Sequence, residues 1–137
     1  MKISVYLVLV FLCFTGCENN DTSDCANKAC TEVFKTIVVT IKDSENNPVV
    51  LDSFKVTNLE NGGDLTRELD NVEFETMSEN GVYPLFGDEY AGDFSNSEVE
   101  INFKGYIDNQ EIINSDYMVG ADCCHVILIS GDPEISI

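Results

Sequence analysis

The sequence predicts an all-β protein, a single antiparallel β-sandwich of about seven strands with an immunoglobulin-like Greek-key arrangement. Short stretches in which apolar and polar residues alternate recur along the last hundred residues, which is typical of half-buried strands. Clusters of Gly, Pro, Asn and Asp separate these stretches at the short spacing expected of a sandwich. No run with helical periodicity is long enough to predict a helix in this region.

Alternation is clearest at residues 98–107, where Val99, Ile101 and Phe103 share one face. The other face carries the polar residues Glu98, Glu100, Asn102 and Lys104. Such a strand has one buried face and one solvated face. Strands are predicted at residues 33–42, 49–58, 83–86, 98–107, 111–119, 125–130 and 134–137. The last of these is expected to pair at a sheet edge.

Several strands carry more specific expectations. Val33 and Val50 are expected to lie on the buried faces of their strands. Pro84 predicts an edge strand, since proline cannot donate to a central ladder. Residues 126–129 are all apolar, which predicts a strand covered on both faces. The apolar pattern of residues 65–75 is weaker and predicts either a strand or a short irregular element.

The N-terminal residues 1–16 predict a secretory signal helix. Lys2 precedes an apolar run at residues 5–14, which is shorter than the ~20 residues that span a bilayer. The run ends in Phe14-Thr15-Gly16-Cys17. This resembles the lipobox of bacterial lipoproteins, and the resemblance implies that Cys17 is lipidated and becomes the new N-terminus. The alternative is an ordinary signal peptide with an incidental cysteine.

Residues 17–31 are predicted to form a flexible, acidic tether that also carries two cysteines, followed by the sandwich domain at residues 32–137. Residues 18–24 are polar and acidic without an apolar side chain. An acidic stretch directly after the lipidated cysteine resembles the surface-export signal of Bacteroidetes-type lipoproteins. The resemblance implies an outer-membrane, lipid-anchored protein on the cell surface. A periplasm-facing anchor is the alternative.

Four cysteines remain after Cys13 leaves with the signal peptide and Cys17 carries lipid: Cys25, Cys30, Cys123 and Cys124. An even number in an exported protein predicts disulfides. A bridge between neighbours on a strand would be strained, so we expect two bridges from the first pair to the second, in either pairing. Such bridges would make the first and last strands neighbours. The alternative is a zinc site of these thiolates with His125, which adjacent cysteines and an oxidising compartment disfavour. Instead, His125 is expected to be a packed or edge residue.

The formal net charge of −18 excludes nucleic acid as a partner, because little here would neutralise phosphates. An enzyme is not expected, and neither is a cofactor. The sequence has no Gly-rich phosphate loop, and a Ser–His–Asp arrangement would have to use His125, the one histidine, without a nucleophile elbow.

Acidic and aromatic residues supply weaker candidate sites. Loop carboxylates can bind calcium, and the candidates are Asp43 and Glu45 in one predicted turn and Asp88, Glu89 and Asp93 in another loop. Without tryptophan, an aromatic platform for sugars would have to use tyrosines, namely Tyr83, Tyr90, Tyr106 and Tyr117.

Residues 38–49, VVTIKDSENNPV, resemble the opening hairpin of carboxypeptidase regulatory-like domains, which are transthyretin-like sandwiches. Asn46-Asn47 stands where that family usually has glycine, and asparagine tolerates the left-handed conformation. Residues 122–126 and 130–131 resemble the tail of small Bacteroidetes surface lipoproteins that carry such domains. The resemblance implies adhesion, scaffolding or accessory binding, and no catalytic residues.

Together these features predict a non-catalytic, lipid-anchored interaction or accessory module of the cell envelope. Its expected partners are the membrane, through the lipid anchor, and an envelope protein or glycan. The alternatives are a carbohydrate-binding accessory lipoprotein of a polysaccharide-uptake system and a calcium-dependent adhesin.

Overall fold

The computed structural model describes residues 25–137. The predicted signal helix, the lipidation site Cys17 and the first part of the tether lie outside the described residues. The described elements, in chain order, are β1 Thr36–Lys42, β2 Ser53–Asn58, α1 Asn71–Glu79, β3 Val82–Gly87, β4 Ser97–Ile107, β5 Gln110–Ala121, β6 Val126–Ser130 and β7 Glu134–Ser136, with short 3₁₀ turns at Cys25–Asn27 and Asp88–Tyr90.

The strands form two sheets, with the orders β3-β1-β7 and β2-β4-β5-β6. This confirms the all-β sandwich. Among the strands of residues 25–137, the pairings are antiparallel except β1 with β7, which run parallel from the Thr40–Glu134 pair to the Lys42–Ser136 pair. The first and last strands are therefore neighbours. The predicted edge positions of the strand that contains Pro84 and of the C-terminal strand are also confirmed.

Apolar side chains from both sheets meet in one core. The buried face predicted for β4 is confirmed, because Val99, Ile101 and Phe103 are almost fully buried. The solvated face is confirmed only in part, since Asn102 is buried and its amide donates to Asn114 and Asp116. The three apolar side chains of β4 pack with Val39 and Ile41 of β1, which are buried to the same degree. Burying such side chains stabilises the fold by about 1.5–3 kcal/mol each.

Two turns use asparagine or aspartate in the left-handed region. Asn46 has φ 65°, as expected for an asparagine in place of glycine. Asp108 and Asn109 have φ 51° and 61°, which is the backbone of a two-residue type I′ hairpin turn between β4 and β5. Both turns lie at the same end of the sandwich, since Asp52 Oδ2, on the segment that follows the Asn46 turn, accepts from Asp108 N.

The sequence predicted a strand or a short irregular element at residues 65–75 and no helix. That prediction is wrong, because residues 71–79 form the helix α1. Asp70 is its N-cap, and its side chain accepts a hydrogen bond from Glu73 N at 2.8 Å. Ser78 is its one buried residue, while Val72 is 73% exposed. This helix therefore lacks an apolar stripe. Asp70 with an acid three positions later is the signal that could have identified it.

Three expectations about buried faces are also wrong. Val33 is exposed because β1 begins at Thr36. Val50 is 54% exposed, whereas its neighbours Val49 and Leu51 are buried, because this segment precedes β2. The strand β6 lies at a sheet edge and is not covered on both faces, so that Ile127 and Ile129 are each 41% exposed.

Candidate functional site

Two disulfides join residues 25–30 to residues 123–124 at one end of the sandwich, and the segment that follows β3 forms hydrogen bonds with both sides. Cys25 is bonded to Cys123 and Cys30 to Cys124, with sequence separations of 98 and 94. We call residues 25–35, 88–96 and 121–126 the disulfide end. The expected pair of bridges is confirmed, and the structure decides their pairing. A disulfide-bonded sulfur is not a thiolate, so the zinc alternative is incompatible with this arrangement.

Cys123 and Cys124 occupy the tight turn between β5 and β6, between the two strands that the sequence predicted. Asp122 N donates to His125 O at 3.1 Å, which closes the turn. The Asp122 carboxylate accepts from Cys124 N and His125 N at 2.7 and 2.8 Å. The hydrogen bond from His125 N, followed by that from Cys124 N, lowers the pKa of Asp122. The turn thereby presents both cysteines to the N-terminal segment.

Asp88 joins the three segments of the disulfide end through its carboxylate. Oδ2 accepts from Lys35 N and lies 2.7 Å from His125 Nδ1, while Oδ1 accepts from Val126 N at 2.8 Å. The side chain is only 9% exposed. Burial by itself raises the pKa of Asp88, but the hydrogen bonds from His125, Val126 and Lys35 outweigh it and hold the pKa below its ordinary value.

His125 continues this chain of contacts to the N-terminal segment. Its Nε2 lies 2.9 Å from Thr31 Oγ1. Asp88, His125 and Thr31 thus stand in the order carboxylate, imidazole, hydroxyl, the order found in nucleophilic hydrolases. The histidine is packed between two polar partners, in agreement with the expectation of a packed or edge residue. Sequence reasoning missed Thr31, because 94 residues separate it from His125.

The structure separates the five calcium candidates. Asp88, Glu89 and Asp93 lie at the disulfide end, whereas Asp43 and Glu45 follow the opposite end of β1. Asp43 Oδ1 accepts from Glu45 N and Asn47 N at 2.8 and 2.9 Å. The side-chain hydrogen bond from Asn47 is the main cause that lowers the pKa of Asp43. The carboxylates of Asp43 and Asp88 are thus already bonded to protein donors.

Within residues 25–137, no group of three or more His, Cys, Asp or Glu side chains is arranged to hold a metal ion. No helix in the described part of the chain is long and apolar enough to cross a membrane.

The four-tyrosine sugar platform does not form. Tyr83 and Tyr117 are buried at 0% and 1% exposure. The Tyr83 hydroxyl accepts from Leu51 N and donates to Val49 O, and the Tyr117 hydroxyl donates to Asp132 O. Tyr90 is half-buried and stacks on Phe86 with ring centroids 5.3 Å apart. Tyr106 is half-buried.

An exposed apolar and cationic surface lies beside the Asp88 contacts, and we call Val33, Phe34, Lys35 and Arg67 the basal patch. Val33 is 72% and Phe34 57% exposed. The Arg67 guanidinium carbon lies 5.9 Å from the Phe34 ring centroid. A groove of about 270 Å³ is lined by Thr31, Val33, Phe34, Lys35 and His125. Sequence reasoning placed Val33 in the core and therefore missed this surface.

The comparisons with known proteins returned no match. No family model matches the chain, and neither do curated proteins or solved structures. The resemblances noted in the sequence therefore remain predictions. The class that fold and site define is a disulfide-bonded β-sandwich.

Proposed function

We propose that this chain is a lipid-anchored, non-catalytic interaction module of the cell envelope, held on the outer face of the outer membrane through Cys17. The pair of disulfides carries this proposal, because such bonds persist in oxidising compartments outside the cytosol. Two or three acyl chains at Cys17 anchor a protein stably, whereas one chain binds only marginally.

The position of the disulfides also suits an anchored protein. Cys25 and Cys30 are the first two cysteines after Cys17, and their partners lie in the turn that links β5 to β6. A load applied to the anchor therefore reaches the sandwich through two covalent bonds, and hydrogen bonds alone do not have to bear it.

We assign the binding of the partner to the end of the sandwich that lies opposite the disulfide end. We call the turn at residues 43–47, Asp52 and the hairpin turn at residues 108–109 the distal end. Its acidic residues are Asp43, Glu45, Asp52 and Asp108. An acidic surface favours partners with a complementary basic surface and disfavours anionic ones. The partner class is an envelope protein or a glycan that carries cationic groups.

Metabolic labelling with an alkyne fatty acid tests the anchor. The full-length chain is expected to incorporate the label, and Cys17→Ser is expected to lose it. Cys13→Ser is the matched control, which should be labelled like the natural chain. Equal labelling of the natural chain and Cys17→Ser would overturn the anchor. Protease added to intact cells then distinguishes the two membrane faces, because an outward-facing domain is digested without lysis.

Site-specific photo-crosslinking in whole cells tests the distal end. A crosslinker at Glu45 is expected to capture one envelope protein in stoichiometric yield, while one at Glu89, at the disulfide end, is not. If neither position captures a protein, the glycan partner is examined on a glycan array. A rise in melting temperature on calcium addition would support the adhesin alternative instead.

A further inference from the structure

We propose that the basal patch rests on the membrane surface, with the Val33 and Phe34 side chains at the boundary between headgroups and acyl chains. This inference rests on the proposed lipid anchor at Cys17 and deepens it, since it assigns the orientation of the domain. The occupant of the patch is the lipid surface, not a second protein.

The first support is that the patch is held in an exposed position by the fold. Lys35 N donates to Asp88 Oδ2 at 2.7 Å, and Asp88 N donates to Lys35 O at 2.9 Å. Three residues before Val33, the Cys30–Cys124 disulfide fixes the chain again. Val33 and Phe34 therefore stay exposed on a segment tied at both ends. Two adjacent exposed apolar side chains of this size suit an apolar or interfacial environment.

The second support is the length of chain between the anchor and the patch. Residues 18–24 separate Cys17 from Cys25. Even fully extended, the eight steps from Cys17 to Cys25 span at most roughly 26–29 Å. The disulfide end therefore stays close to the bilayer whenever Cys17 is lipidated. Of the two ends of the sandwich, this one is directed to the membrane.

The third support is charge. The protein carries a net charge of −18, yet the basal patch contributes Lys35 and Arg67 and no acid. Arg67 is also paired with Glu73 at 3.2 Å. Lys35 and Lys28 therefore supply the cationic groups for lipid, and the exposed Glu32 between them opposes one of these charges. Their aliphatic stems can lie along the apolar surface while the charged groups reach lipid phosphates. A second copy is a poorer occupant, because two strongly acidic bodies would be brought together.

Single-tryptophan variants test this inference cleanly, because the chain has no tryptophan. Full-length Phe34→Trp is reconstituted in vesicles of phosphatidylethanolamine and phosphatidylglycerol, with or without lipid brominated near the glycerol end of its acyl chains. Val50→Trp is the matched control, since Val50 is 54% exposed and Phe34 57%. Val50 precedes Asp52 of the distal end.

The emission ratio between brominated and unbrominated vesicles is the readout. For Phe34→Trp we expect bromine to remove more than half of the emission, and for Val50→Trp we expect no change. Equal ratios in the two variants would overturn the inference. So would an emission shift of Phe34→Trp that depends on protein concentration without lipid, because a second copy would then cover the patch.

Mass spectrometry of the same samples separates the two proposals. Protein without acyl chains at Cys17 would refute the anchor itself. Phe34→Trp protein that is lipidated but shows no quenching by bromine would refute only the orientation. Intact disulfides, checked on the same spectra, show that each variant has formed both bridges.

Discussion

Asp88 and His125 lie 37 residues apart in the chain, yet the Asp88 Oδ2 and His125 Nδ1 atoms are 2.7 Å apart. The same carboxylate accepts hydrogen bonds from the backbone of Lys35 and Val126. One side chain therefore connects the segment before β1, the end of β3 and the start of β6. The disulfides join the first and the last of these segments covalently, and the hydrogen bonds of Asp88 attach the end of β3 to both.

Asp88→Asn is expected to destabilise the domain by about 1–3 kcal/mol, because an amide nitrogen in place of Oδ2 cannot accept from Lys35 N. Urea denaturation with the disulfides intact measures the loss. Asp93→Asn, at an exposed position in the same loop, is the control and should change stability by less than about 0.5 kcal/mol. Equal stability of the two variants would contradict the role of Asp88.

We expect the unfolding free energy of the domain to fall in acid because of Asp88. The pKa of Asp88 is lower in the folded state than the ordinary value of 3.8, so the unfolded state binds the proton more readily. Its contribution is fully present above the ordinary value and is lost as the pH falls through the lower, folded value. Unfolding free energies measured from neutral to strongly acid pH should therefore fall more steeply for the natural chain than for Asp88→Asn.

The two disulfides are expected to stabilise the domain non-additively, because the loss of either one costs less than half of the loss of both. Removing one bridge, as in Cys30→Ser with Cys124→Ser, leaves the long loop closed by Cys25–Cys123. The chain-entropy model then gives a loss of about 2–3 kcal/mol for one bridge and about 7 kcal/mol for both. Denaturation of the two double variants and the quadruple variant measures this. Equal losses after removing one bridge and both would contradict it.

Tyr83→Phe tests the buried hydroxyl. The Tyr83 hydroxyl bonds both Leu51 N and Val49 O at 2.7 and 2.8 Å, and burial raises its pKa. Removing it leaves two buried backbone groups unpaired, and we expect a loss of about 1–3 kcal/mol. Tyr106→Phe, at a half-buried position, is the control. A similar melting temperature for both variants would show that the hydroxyl contributes little.

The Asp88–His125–Thr31 contacts are expected to be structural and not catalytic. Asp88 also accepts two backbone N–H groups, so its carboxylate is occupied in positioning the chain. The full-length protein should hydrolyse p-nitrophenyl esters no faster than Thr31→Val. A clear rate loss in Thr31→Val and in His125→Asn, with recovery in Thr31→Ser, would instead show a nucleophilic hydrolase.

Sequence patterns of a few residues correctly predicted those strands and turns whose conformation depends on neighbouring residues in the chain. The alternation in β4 was readable because Val99, Ile101 and Phe103 bury one face of a strand. The turn at Asn46 was readable because left-handed backbone selects few residue types. The helix α1 was not predicted because its apolar residues form no stripe. The prediction of a tyrosine platform was wrong because the Tyr83 and Tyr117 side chains lie on the inward faces of their strands.

By itself the sequence determined the all-β class, the edge positions of β3 and β7, and the existence of two bridges between the two cysteine pairs. These follow from residue periodicity, proline chemistry and cysteine count. Only the tertiary structure decided the pairing of the cysteines, the chain of contacts from Asp88 through His125 to Thr31, and the exposure of the basal patch. Those depend on where distant segments meet, and contacts across some 90 residues leave no periodic signal in the chain.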